Sequence, residues 1–198
     1  MKKRIKLSLL FGLICAMLLS MTQFEAVCDD LRQNVLRLHI IANSDTEADQ
    51  ELKLKIRDEI LSQTGGMFAN ADSLLQAEYE TEKHLAQFSQ IANRVIKENG
   101  FDYKAEVSLG DCFFETRHYN TFSLPAGNYR SLIIKLGKAE GKNWWCVIFP
   151  SVCVPAAADS NLRQSVSDNS ANVAEQSDRY VIRFKTVEIY EKIKSFFS

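Results

Sequence analysis

Cys112 and His118 stand six residues apart in CFFETRHYNTF, a thiol and an imidazole of the types that could serve as a nucleophile and its base. On an extended strand that spacing puts both on one face but about 20 Å apart, too far for proton transfer. His39 lies in the apolar run VLRLHIIA and is expected to be a hydrogen-bonded core residue, while His84 falls on a helical stretch with no metal-ligating partner three or four residues away. The sequence contains no Gly-x-Ser-x-Gly, His-Glu-x-x-His, Asp-Thr-Gly, Asp-Ser-Gly or Cys-x-x-Cys, and no phosphate-cradling glycine loop. It therefore names no catalytic residue, no cofactor and no metal ligand. The other concentration of special residues is GKNWWCVIFPSVC at 141–153, which holds both tryptophans, one of three prolines and two of five cysteines. A buried strand would use the aromatics and a disulfide the cysteines, whereas a tightly specified partner surface would use both.

The elements that must position these residues begin with an export signal. MKKRIK carries four positive charges and precedes LSLLFGLICAMLLSM, an apolar run broken only by Ser8, Gly12 and Ser20. Residues 1–28 are read as a signal peptide or, if uncleaved, a short anchor, since spans need about 20 apolar residues. Ser20-Met21-Thr22 is the least poor cleavage site. Outside the n-region, 20 Lys and Arg face 25 Asp and Glu, a formal charge of −5 that disfavours nucleic acid as a partner. The remaining chain, about 175 residues, suffices for one domain with a proper core.

That domain is read as α+β, with an N-terminal strand and helices followed by an antiparallel β-meander, then a C-terminal strand and amphipathic helix. VLRLHIIA at 35–42 is the first strand, and Asn43-Ser44-Asp45 supplies the turn, with Asp45 as the helix cap. In TEADQELKLKIRDEIL, Ala48, Leu52, Ile56 and Ile60 form one stripe and Leu54 and Leu61 a narrower second one. Asp49 with Lys53 and Glu51 with Lys55 are expected to pair along the exposed surface. A helical region from Asp72 stops at Asn99-Gly100. YKAEVSLG, CFFETRHYNTF, YRSLIIKLG and WWCVIF read as successive strands, with a turn at Leu124-Pro125-Ala126-Gly127. The core domain runs over 29–154 and is followed by a loose linker at 155–179, rich in Ala, Ser, Asn and Asp. YVIRF is the last strand, and Ile189, Ile193 and Phe196 share the core-facing side of the final helix.

The residues LRLHIIANSDTEADQELKLKIRDEIL, EVSLG, LPAGNYRSLIIKLGKAEGKNWWCVIFPSVC and RFKTVEIYEKIK resemble stage II sporulation protein R of endospore-forming bacteria. The resemblance covers 35–153 almost without interruption and resumes weakly from Tyr180. Its signature residues fall at His39, Asn43, Ser44, Asp45, Leu54, Lys55, Arg57, Asp58, Asn143, Trp144, Trp145, Cys146 and Cys153. Cys112 departs from it. The resemblance implies a signalling protein, not an enzyme, exported from the forespore into the space between forespore and mother cell. There it would trigger a membrane-embedded aspartic-type protease, stage II sporulation protein GA, to process pro-sigma E. Asn43, Asp45, Arg57, Asp58, Trp144 and Trp145 are the candidate partner contacts. A secreted thiol enzyme and a structural envelope protein are the alternatives.

Within WWCVIF, alternation places Trp144, Cys146 and Ile148 on one face and Trp145, Val147 and Phe149 on the other, and the terminal helix is expected to cover the outer column. Phe149-Pro150 ends the strand and turns the chain so that Cys146 and Cys153 can approach. In an oxidising compartment they are expected to form a disulfide.

Overall fold

The computed structural model describes residues 2–64, 66–68, 71–119, 121–150 and 162–197. Its elements run α1 (Lys2–Gln33), β1 (Leu36–Ile41), α2 (Glu47–Thr64), α3 (Leu74–Lys83), α4 (Leu85–Glu98), β2 (Ala105–Phe114), β3 (Arg117–His118), β4 (Ser123–Leu124), β5 (Gly127–Leu136), β6 (Asn143–Phe149), α5 (Leu162–Ser165), α6 (Asp168–Glu175) and α7 (Val181–Phe197). The class is α+β. Two compact units divide the chain.

The larger unit, Arg32–Phe114 with Asn128–Val166, is built on a four-stranded sheet of order β2-β5-β1-β6. This differs from a meander. β1, first in sequence, lies inside the sheet, parallel to β5 and antiparallel to β6. Its residues Leu36, Leu38 and Ile40 are fully buried, as suits an inner strand with both edges paired. EVSLG and CFF, expected as parts of two strands, are one continuous β2.

One face of the sheet packs Leu38, Ile40, Leu132, Ile134, Cys146 and Ile148 against Leu52, Ile56 and Ile60 of α2 and Phe88, Ala92 and Ile96 of α4. The four-residue stripe of α2 is buried as expected apart from its first member, Ala48, which is exposed. The helical region after Asp72 is broken at His84, where α3 ends and α4 begins. Gly100, at φ +81, follows α4 with a conformation that disfavours L side chains. Phe149 departs from simple alternation. The β1–β6 register shifts between Leu36 and Arg37, and this bulge turns Phe149 to the core side, where its ring meets Phe68 at 6.1 Å.

The smaller unit gathers α1 to Leu31, residues 115–127 and the chain from Ser167. On α1 the apolar side chains of Ile5, Leu7, Leu9, Leu10, Phe11, Leu13 and Leu19 are exposed, while Phe24, Val27, Cys28 and Leu31 are buried. Phe24 stacks on Tyr180 with ring centroids 5.9 Å apart and meets Phe184 edge-on at 5.3 Å. Among the described residues no helix is long and apolar enough to cross a membrane. The described part of the expected linker contains α5, α6 and a 3-10 turn at Ser177–Arg179, with Ala171, Val173 and Ala174 buried. The same small side chains that make the composition look loose let a short helix pack closely. YVIRF is not a strand: Tyr180 closes the 3-10 turn and Val181–Phe184 begin α7, because Phe184, Val187, Glu188 and Glu191 bury at helical spacing. Ile189 and Ile193 of the expected inward face are exposed instead.

Candidate functional site

The turn after β1 and the loop before β6 hold each other through backbone and side-chain hydrogen bonds. The N–H of Gly141 donates to the carbonyl of Ala42 (2.9 Å), and that of Glu140 to the carbonyl of Asn43 (3.2 Å). Asn43 Oδ1 accepts from the Lys138 N–H (3.0 Å), and Asp45 Oδ1 from the Lys142 N–H (2.7 Å). Gly137 and Gly141 make this approach possible, because a Cβ at either position would run into Asn43 or Ser44. Asp45 is thus occupied with the loop and does not cap α2. Thr46 does, its Oγ1 accepting from the N–H of Asp49 (3.3 Å).

Asp49 and Lys53 do not pair along an exposed surface either, since both are buried. Asp49 accepts from Asn43 Nδ2 (2.9 Å), from the Ser44 hydroxyl and from the Tyr103 hydroxyl (2.6 Å). Burial opposes ionisation of its carboxyl, but the hydrogen bonds from Ser44, Tyr103, Asn43 and Thr46 outweigh it and hold the group below its ordinary range. The same burial and the Asp49 partner push the Tyr103 phenol upward. Lys53 Nζ donates to Gln50 Oε1 (2.6 Å) and to the carbonyl of Lys142 (2.9 Å), and burial lowers its pKa. Lys142 is therefore gripped at its N–H by Asp45 and at its carbonyl by Lys53, which fixes the entry into Asn143 and Trp144.

At that point Arg57 closes the corner. Its guanidinium lies 4.3 Å from the centroid of the Trp144 ring and bonds Asp58 Oδ1 through Nη2 at 2.7 Å. Trp144 packs against the apolar core with its inner side. The Arg57 side chain is 20% exposed and that of Asp58 65%, so the stacked cation is preorganised with its acidic partner outward. Of the six candidate contacts, Arg57, Asp58 and Trp144 come together, Asn43 and Asp45 build the loop that holds them, and Trp145 turns to the opposite sheet face. There it meets His39 (5.7 Å) and Phe114 (5.5 Å). Cys153 lies outside the described residues, and so does the turn that would bring it to the buried Cys146.

Residues 32–159 match the family model of stage II sporulation protein R. The chain belongs to the stage II sporulation protein R family. A curated relative, stage II sporulation protein R of Bacillus subtilis (strain 168), is 30% identical over 158 residues, covering 80% of this chain. The chain spans 66% of that relative's length, just under two thirds. No solved structure matches the chain. The match to the stage II sporulation protein R family takes in the four-stranded sheet, α2, α3 and α4 and the whole Arg57–Trp144 corner.

Sequence reasoning missed several residues of the site. Asp49, Tyr103 and Lys53 carry no motif, and only their placement on three separate elements makes them a network. Cys112 likewise finds its imidazole in His39, not His118, whose Nδ1 lies 2.7 Å from Ser123 Oγ. His84 Nδ1 lies 2.7 Å from the carbonyl of Glu80.

Proposed function

We propose that this chain is an exported sporulation signal that activates a membrane-embedded aspartic-type protease, stage II sporulation protein GA, by contact, so that pro-sigma E is processed in the mother cell. The protein works from the space between forespore and mother cell. Membership of the stage II sporulation protein R family is the observation that carries the reading. The division of α1 supports export, because its exposed apolar run precedes Phe24, the first buried side chain among the described residues. The signal is removed ahead of Phe24 or stays as a thin anchor.

The contact surface is the Arg57–Asp58–Trp144 corner. A partly exposed Arg on a helix, stacked on Trp144 and paired with Asp58, has the character of an interface anchor, since little side-chain entropy remains to be lost on binding. Cys146 and Cys153 form the disulfide that fixes the chain beyond β6. Their short separation in sequence and an oxidising compartment support the pairing. Co-expression of the chain with the protease and pro-sigma E in a non-sporulating host tests the reading. Cleavage that requires all three components is expected, and pro-sigma E left intact when the exported chain is present would contradict it.

A further inference from the structure

Three side chains on the sheet face away from the helices form a hydrogen-bonded row. Cys112 Sγ on β2 lies 3.2 Å from Nδ1 of His39 on β1, and Nε2 of the same ring lies 2.9 Å from Oδ1 of Asn143 on β6. The amide oxygen of Asn143 can only accept, so Nε2 carries the ring proton and Nδ1 presents its lone pair to the thiol. A thiol, a base aimed at its proton and an amide that fixes the tautomer are the three roles of a Cys-His-Asn nucleophile, a constellation recognised by geometry on unrelated folds. The ring of His39 is held in place by Phe114 (5.8 Å) and Trp145 (5.7 Å), which give the site an apolar wall. Cys112 is half-buried and Asn143 exposed, so the row opens to solvent at one end.

We propose that Cys112, His39 and Asn143 form a nucleophilic thiol site that accepts an acyl group from a small apolar ester, a reactivity separate from the signalling role. In the step, the Cys112 proton passes to Nδ1 of His39 while Sγ adds to the ester carbonyl. The carbon–sulfur bond forms, the bond to the leaving alkoxide breaks, and the alkoxide departs as the alcohol with the proton from the imidazolium. The product is a thioester on Cys112, which water hydrolyses to the acid and the restored thiol.

The protonation states suit general-base assistance rather than a resting ion pair. Burial lowers His39, aided by Arg37 on its own strand and Lys135 on β5 and opposed by the Asn143 bond from β6, so the imidazole is neutral at pH 7 and has a lone pair free to take a proton. Burial raises the Cys112 thiol, which Arg37 partly offsets, so the proton is still present to be transferred.

The test uses the exported full chain with p-nitrophenyl acetate, following p-nitrophenolate release and locating the acetyl group by mass spectrometry. Acetylation of Cys112 at pH 7 is expected to be about 100-fold faster than in the urea-unfolded chain, and His39→Gln should remove about that factor. In the wild type the rate should level off above the pKa of His39. A rate rising tenfold per pH unit from pH 6 to 9, or equal rates in folded and unfolded chains, would overturn the proposal. If His39→Gln does not fold, Asn143→Ala decides alongside the wild-type pH profile. It should slow acetylation at least several-fold, and an unchanged rate would count against the site.

Discussion

Trp144 and Trp145 are neighbours in β6 and serve opposite faces of one sheet. Trp144 leans on an aliphatic core covered by α2 and α4 and takes the Arg57 cation on its ring. Trp145 stands among His39, Phe114 and, through Phe114, the buried Arg37, whose guanidinium is 3.8 Å from the Phe114 centroid. One face is held by non-directional burial of Leu, Ile and Phe, the other by oriented rings and titratable groups. A two-residue signal, WW, thus contributes to two different physical environments because strand side chains alternate.

The largest effect should come from the aliphatic face. Ile56→Ala in α2 removes a fully buried side chain and should cost about 2–5 kcal/mol in urea unfolding, at any pH between 5 and 8. A loss below 1 kcal/mol would mean that the helices contribute little to the sheet. Next comes the proposed Cys146–Cys153 disulfide. A Cys146→Ser, Cys153→Ser pair should lose about 2.5 kcal/mol, the chain-entropy value for so short a loop, and stay folded.

Titration separates the two faces further. His39 has a folded pKa below its unfolded value of about 6.5, so its contribution is complete above that pH and falls as the ring is forced to charge in acid. Asp49, beside the helix face, also has a lowered pKa. Its contribution is complete above its unfolded value of about 3.9 and is lost as pH falls through the folded value. Stability measured against pH should therefore decline in two windows, the upper one flattened by His39→Gln and the lower one by Asp49→Asn. A single window unaffected by either substitution would break the distinction. The smallest stability effect is that of Arg57→Ala, about 0.5–1 kcal/mol for a partly exposed cation–π contact, read as a small shift in thermal melting.

Much of the helix face is legible in the sequence, because Leu52, Ile56 and Ile60 recur at the spacing that buries one side of α2. The Asn99-Gly100 stop and β1 are legible for similar local reasons. The sheet order is not, since β1 pairs in parallel with β5 some 94 residues away (Arg37 with Ser131) and no local pattern encodes that register. Cys112 and His39, 73 residues apart, are invisible as a pair for the same reason. At YVIRF the β-branched residues argue for a strand, but packing of Phe184 and Val187 decides for helix. The candidate corner is half legible. Arg57, Asp58 and Trp144 stand out in the sequence, but their meeting depends on Lys142 being held between Asp45 and Lys53.

The most direct test of the account compares Arg57→Ala with the wild-type chain in the three-component co-expression assay, at matched levels of exported, folded protein. The account predicts that cleavage of pro-sigma E falls at least tenfold while melting shifts by only a few degrees. Cleavage at the wild-type level by folded Arg57→Ala would contradict the claim that the Arg57–Trp144 corner is the surface through which this protein signals.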